Sequence, residues 1–302
     1  MAIDLQSGQD AILITGPTAS GKSALSLDLA ARHGGVVINA DSMQVYDTLR
    51  ILTARPSDAE MSGIEHRLYG HVPASETYST GAWTRAMSAV LDEVRARGQL
   101  PIIIGGTGLY FKALTGGLSA MPPVPDGLRE TLRAALAVEG PQALHARLAE
   151  EDPAAAARLR PEDGQRILRA LEVYRASGRS ILAYQAESGP VLVDPKRALK
   201  LVVQPEREIL RRRIDRRFAT MLEEGAVEEV EALLAQRLSP ALPAMKAIGV
   251  PQIAAMLAGE LGRDEVIDTA SAATRQYAKR QMTWFRNQLG PDWQRIDPAT
   301  SG

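Results

Sequence analysis

At 302 residues the chain has room for one large domain, or for one domain carrying a second. Lys and Arg number 35 against 36 Asp and Glu, so net charge marks no polyelectrolyte, and any nucleic-acid contact must rest on locally concentrated cations. The absence of cysteine excludes disulfides, thiolate zinc sites and cysteine nucleophiles, and fits a reducing compartment.

Ala11-Ile-Leu-Ile-Thr15 is a short apolar run with β-branched residues, the pattern of a buried parallel strand. A glycine loop follows, and Ser23 to Arg32 reads as a helix with Leu25, Leu29 and Ala30 on one side. Val36–Ala40 is the next predicted strand, with Asp41 just beyond its carboxyl end. Pro101–Ile104 is a third, running into Gly105-Gly-Thr-Gly108, and Lys200–Gln204 a fourth. Strands alternating with helices predict an α/β, mostly parallel, doubly wound sheet, which gathers ligands at the carboxyl ends of its strands.

The middle of the chain changes character. From about Met121 to Gly189 there is little strand signal, and prolines 122, 123 and 125 mark the entry. Asp126 is predicted to cap a helix through Ala137, and Pro141 suits the first turn of the next. Asp152-Pro153 starts an alanine-rich helix, and Asp163 caps one from Gln165 to Ala176 that Ser177-Gly178 closes. The expected organisation is a core over 1–120 and 191–302 interrupted by a helical insertion over 121–190, although these helices could also extend the same core. After the fourth strand, Glu206–Ala235 reads as a long helix broken near Gly225, with further helices around Ile248–Leu257 and Asp264–Asn287.

Gly16-Pro-Thr-Ala-Ser-Gly-Lys-Ser23 fits Gly-x-x-x-x-Gly-Lys-Ser/Thr between a strand and a helix. Its glycines let successive N–H groups face phosphate oxygens, and the helix N-terminus adds favourable partial charge. Lys22 neutralises phosphate charge, and the Ser23 hydroxyl suits a Mg²⁺ ligand. A hydrolytic motor adds a second acid at the end of another strand. Here the strand ending at Ile104 runs into Gly-Gly-Thr and the one ending at Val203 into Gln-Pro, so Asp41 is the only strand-end carboxylate recognised. That favours a group transferase. Asp41 could instead cap or form a turn, and Thr107 could be a turn residue between glycines.

Two cationic clusters stand out. Arg207, Arg211, Arg212, Arg213, Arg216 and Arg217 fall on one predicted helix. Thr274–Arg286 contains no acid, and interleaves Arg275, Lys279, Arg280 and Arg286 with Tyr277, Trp284 and Phe285. Such runs are usually solvated faces and such aromatics usually core, but beside a phosphate loop they suggest an RNA-contacting face. Gln165, Arg166 and Arg169 repeat the theme on one helix face of the insertion.

Five stretches in this order resemble the tRNA dimethylallyltransferase family: Gly16–Ser23, Asp41-Ser-Met-Gln-Val-Tyr46, Gly105-Gly-Thr-Gly-Leu-Tyr-Phe111, Gln165-Arg-Ile-Leu-Arg-Ala-Leu-Glu172 and Thr274-Arg-Gln-Tyr-Ala-Lys-Arg-Gln281. The resemblance runs nearly end to end and implies a P-loop NTPase-like core. It also implies transfer of a dimethylallyl group from dimethylallyl diphosphate to N6 of adenosine 37, in tRNAs reading codons that begin with U. Gly16, Thr18, Ala19, Ser20, Gly21, Lys22 and Ser23 would hold the diphosphate, with Mg²⁺ on Ser23. Asp41, Thr107 and Arg217 would be catalytic, with Arg217 on the diphosphate. Contact with the tRNA anticodon stem-loop would fall to Asp41, Ser42, Met43, Gln44, Thr107, Arg129, Gln165, Arg166, Arg169, Arg275, Gln276, Lys279, Arg280 and Gln281.

Three stretches depart from the family pattern. Leu52-Thr-Ala-Arg-Pro56 stands where Gly-Thr-Ala-Lys-Pro is common, His66-Arg-Leu-Tyr-Gly-His71 replaces a His-His-Leu-Ile-Asp pattern, and Ile248-Gly-Val-Pro251 replaces Ile-Gly-Tyr-Arg. No RNA contact is therefore carried onto Val250 or Pro251. The first ten residues show no leader pattern, and no run approaches the roughly 18 apolar residues of a spanning helix, so a soluble cytoplasmic protein without a membrane partner is expected. A monomer is also expected, though not on these observations. Prenylation of free AMP or ADP, nucleotide-gated RNA binding without chemistry, and a small-metabolite kinase are the alternatives.

Overall fold

The computed structural model describes residue 3 and residues 5–297; Met1, Ala2 and Asp4, within the first ten residues read above for a leader pattern, and residues 298–302 lie outside them. In chain order, β1 (Ala11–Thr15), α1 (Lys22–His33), β2 (Gly35–Asn39), α2 (Asp58–Met61), β3 (His66–Arg67), α3 (Thr80–Ala96), β4 (Leu100–Gly105) and α4 (Gly108–Leu114) come first. Helices α5 (Asp126–Glu151), α6 (Pro153–Ala156), α7 (Gly164–Ser177) and α8 (Ile181–Gln185) follow. Then come β5 (Ala198–Val203), α9 (Arg207–Glu223), α10 (Ala226–Ala235), α11 (Val250–Leu257), α12 (Arg263–Gln288) and β6 (Gln294–Ile296).

The strands form one parallel sheet in the order β3-β2-β4-β1-β5-β6. β1 is central and buried along its whole length, and both its neighbours, β4 and β5, are almost fully buried too. That is why all three read as unbroken apolar runs: helices cover both faces of a parallel sheet. β3 and β6, of two and three residues, were missed because they are too short and polar to show a period. β6 is tied on by Lys200, a buried lysine of β5 that pairs with Asp292 in the turn before it. Asp297 follows β6, so Asp41 is not the only carboxylate after a strand, as the sequence reading had it. α3 was also missed, although its buried Trp83, Met87, Val90, Leu91 and Val94 carry the helical spacing.

The chain divides into two compact units, residues 1–114 with 192–302, and residues 115–191. In the second, α5 bends at Gly140 (φ 82°), where Pro141 opens the second stretch of helix. Leu132, Leu144, Leu148, Ile167 and Leu171 form its core. Asp152 and Asp163 cap α6 and α7 through the N–H groups of Ala155 and Arg166. Asp126 does not cap: Pro125 occupies that position, and Asp126 sits in the first turn beside Arg129.

In the first unit one side chain from a distant helix holds three consecutive backbone groups of the segment after β2. The Glu229 carboxylate on α10 accepts from the backbone N–H groups of Arg50, Ile51 and Leu52. Removing it strands three donors, so Glu229→Ala should lower the unfolding free energy by about 2–3 kcal/mol, read from urea titration of the two proteins.

Candidate active site

The phosphate loop is shaped by close backbone contact. Gly16 turns where a Cβ would stand 2.3 Å from the Val203 carbonyl, so the strand end of β5 forces glycine there. Ala19 holds a left-handed conformation (φ 61°), an unusual one for a residue with a side chain. Gly21 (φ 93°) then leads into α1. Lys22 Nζ donates to the carbonyls of Gly16 (2.9 Å) and Pro17 (2.7 Å), which holds its ammonium over the loop. Burial lowers its pKa to about 8, with Arg217 pushing the same way and Asp41 opposing. Ser23 is exposed in the first turn of α1.

Asp41 lies where the ends of β2 and β4 meet. Asn39, fully buried, accepts from the Asp41 N–H (2.8 Å) and donates to the carbonyls of Asp41 and Leu68. Asp41 Oδ1 accepts from the Met43 N–H (2.9 Å), and Oδ2 is turned toward Gly106, where a Cβ would stand 3.2 Å from it. The Thr107 hydroxyl accepts from the Ser42 N–H (2.9 Å) and donates to the Ser42 hydroxyl (3.2 Å). Trp83 completes the support: its indole N–H donates to the Asn39 carbonyl (3.0 Å) and its ring stacks on Tyr110 at 4.2 Å. Sequence reasoning passed over Asn39 and Trp83, because nothing local marks a residue whose only role is to hold another.

Electrostatics single out the same carboxylate. Tyr69, Tyr110 and Tyr277 all have raised pKa values, chiefly through burial and also through the negative charge of Asp41. Burial lowers the pKa of Arg217, against the pull of Glu60, Asp41 and Glu224. Asp41 thus lies within electrostatic reach of both Lys22 and Arg217.

The other predicted residues divide. On α9, Arg213 points Nη1 at the carbonyls of Ala19 and Ser20, whereas Arg207 and Arg211 line a cleft of about 830 Å³ with α12. Arg275, Gln276, Lys279 and Arg286 line the same cleft. Arg275 also pairs with Asp215 of α9, so that stretch lacks acids in sequence but not in space. Phe285 is core, and Trp284 lies against Gly108. Met43 packs against the core and Gln44 donates to the carbonyls of Thr53 and Ala54. Gln281 departs most from its assignment as an RNA contact: it is buried, and both ends of its carboxamide are bonded to loop backbone. Arg280 is exposed, with its guanidinium near the Tyr277 ring. In the second unit, Gln165 and Arg166 are exposed, Arg166 pairs with Asp163, and Arg169 pairs with Glu172.

Among the described residues no cluster of three or more His, Asp or Glu side chains could hold a metal ion. The donor set beside the loop, one hydroxyl and no carboxylate cage, suits a Mg²⁺ that arrives with phosphate oxygens and its own waters.

The sequence matches the IPP transferase family model over residues 44–288. It is 63 % identical to a tRNA dimethylallyltransferase of Allorhizobium ampelinum, across 100 % of this chain and 99 % of that protein. Among solved structures, it is similar to the full-length tRNA isopentenylpyrophosphate transferase of Bacillus halodurans, with 34 % identity, TM-score 0.67, and 96 % and 90 % of the two chains covered. It is also similar to a eukaryotic dimethylallyltransferase whose structures capture it acting on tRNA, with 29 % identity, TM-score 0.81, and coverage of 96 % and 74 %. The chain belongs to the IPP transferase family, and its core is a P-loop NTPase-like fold.

The lowered pKa of Lys22 sets a pH dependence. The ammonium is charged below about 8 and favours an anion, so a bound diphosphate raises its pKa. Affinity for inorganic pyrophosphate should fall by up to about tenfold per pH unit above that value, and Lys22→Met should flatten the calorimetric profile.

Proposed function

We propose that this member of the IPP transferase family transfers a dimethylallyl group from dimethylallyl diphosphate to N6 of adenosine 37 in tRNAs reading codons that begin with U. The observation that carries this reading is Asp41, its backbone held by Asn39 and its carboxylate by the Met43 N–H, within electrostatic reach of Lys22 of the phosphate loop and Arg217 of α9. Full-length identity to named tRNA dimethylallyltransferases supports the same activity.

The chemistry follows from what each group offers. The exocyclic amine of adenine is a weak nucleophile because its lone pair is delocalised into the ring. As N6 attacks C1 of the allyl group, the C1–O bond breaks and its electron pair leaves with the diphosphate. Asp41 Oδ2 accepts the N6 proton, so the amine does not carry positive charge. The P-loop N–H groups, Lys22 and Arg217 stabilise the departing anion. Mg²⁺, held by Ser23 and the diphosphate, would offset further charge on the leaving group. Thr107 anchors the Asp41–Ser42 turn, and its place beside Asp41 suits contact with the incoming base. That base must leave its stack to reach the site.

RNA binding is assigned to three groups. Ser42, Met43 and Gln44 flank the target base; Arg275, Gln276, Lys279 and Arg280 meet backbone phosphates from α12; and Arg129, Gln165, Arg166 and Arg169 contact the stem-loop from the helical unit. The protein is taken to work as a cytoplasmic monomer.

Two outcomes decide the reading. With Mg²⁺ and dimethylallyl diphosphate, an anticodon stem-loop with adenosines at 36, 37 and 38 should gain one dimethylallyl mass at position 37, whereas AMP should not; an unmodified stem-loop would sink the proposal. Asp41→Ala should lower turnover by about 10²- to 10⁴-fold while stem-loop affinity, measured by filter binding, changes little.

A further inference from the structure

We infer that Gln281 is a positioning residue that locks the phosphate loop to the turn carrying Thr107, and that it serves the diphosphate side of the reaction without contacting RNA. The inference rests on the diphosphate reading of the loop. Gln281 is 6 % exposed. Its Oε1 accepts from the Thr18 N–H (3.0 Å) and its Nε2 donates to the Gly106 carbonyl (3.0 Å), two backbone groups from distant parts of the chain. An RNA contact needs an accessible, unengaged carboxamide, and this one is neither.

The surroundings show what the two bonds accomplish. Gly106 has no room for a side chain because a Cβ would stand 2.2 Å from Gln281 Nε2, and the same Cβ would lie 3.2 Å from Asp41 Oδ2. The carboxamide is therefore wedged behind the carboxylate that receives the proton. On the other side, Thr18 precedes Ala19, whose left-handed backbone persists only where neighbours impose it. The bond from the Thr18 N–H to Gln281 is one such restraint. Packing of Ala19 against the cluster of Leu210, Ile214 and Ala278 is another. Tyr277 lies one turn earlier on α12, on the same face of the helix as Gln281. One side chain thus sets the spacing between the anion grip and the proton acceptor.

The test is Gln281→Leu, which keeps approximate volume and removes both hydrogen bonds. Leaving two buried backbone partners unmet should weaken calorimetric binding of inorganic pyrophosphate by about tenfold or more, and raise KM for dimethylallyl diphosphate similarly. Stem-loop affinity should stay within about twofold of wild type. Unchanged pyrophosphate affinity would overturn the inference, as would an equal or larger loss of RNA affinity. If the variant fails to fold, glutamine side-chain amide resonances of the ¹⁵N-labelled wild-type protein provide the readout. The Gln281 signal, assigned by its loss in Gln281→Asn, should shift with pyrophosphate and stay in place with stem-loop alone; the reverse pattern overturns the inference. Failure of the wild-type protein to bind pyrophosphate at all would instead sink the diphosphate reading itself, and the inference with it.

Discussion

The close approach of two chain segments at the carboxyl edge of the sheet constrains every other part of the site. β2 and β4 are adjacent parallel strands, so their outgoing turns must pass each other within backbone distance. A Cβ on Gly105 would stand 2.0 Å from the Ala40 carbonyl, so only glycine allows the turn after β4 to lie against the turn after β2. Across that contact Thr107 bonds Ser42 and the Thr107 N–H reaches the Ala40 carbonyl, which fixes the path on which Asp41 stands. A wider separation would leave the carboxylate on a free loop, and proton acceptance from a weak nucleophile depends on position to within a fraction of an ångström.

Charge in the site is arranged as a mutual compromise. Lys22 and Arg217 each lose stability in the charged form by burial, and each recovers part of it from Asp41. A diphosphate carries far more negative charge than one carboxylate, so under the proposed function it would satisfy both cations and leave Asp41 to act toward the base. The three tyrosines around Asp41 have the complementary role. Burial and the neighbouring carboxylate keep their hydroxyls protonated, so they surround Asp41 as neutral groups.

The departures from the family pattern meet one another in space. Arg55, in place of a lysine, lays its guanidinium against Gly70, where a Cβ would stand 2.0 Å from Nη1, and Gly70 falls where the family pattern carries an acid. Leu52, in place of a glycine, packs against Gly249, and Val250 of the third departure is buried in the same cluster. The departures thus meet in two places, Arg55 with Gly70 and Leu52 with Gly249 beside Val250.

How much of this was legible in the sequence follows from how local each signal is. The phosphate loop, the strands β1, β2, β4 and β5, and the helices capped by Asp152 and Asp163 are specified by residues within a few positions of one another. Strand periodicity, glycines and caps therefore revealed them. Asp41 was recognised because it follows a strand, which is also local. What only the tertiary structure decided are relations across the chain. β6 pairs with β5 from far along the chain, with Lys200 bonding Asp292 beside it, and α12 turns Arg275 and Lys279 to a cleft with α9 while it buries Gln281 against the phosphate loop. A helix read by itself shows that residues four apart share a face, but not what that face meets. Gln281 and Lys279 are two residues apart, far around the helix from each other, so one acid-free stretch that looked like a single surface serves two different neighbours.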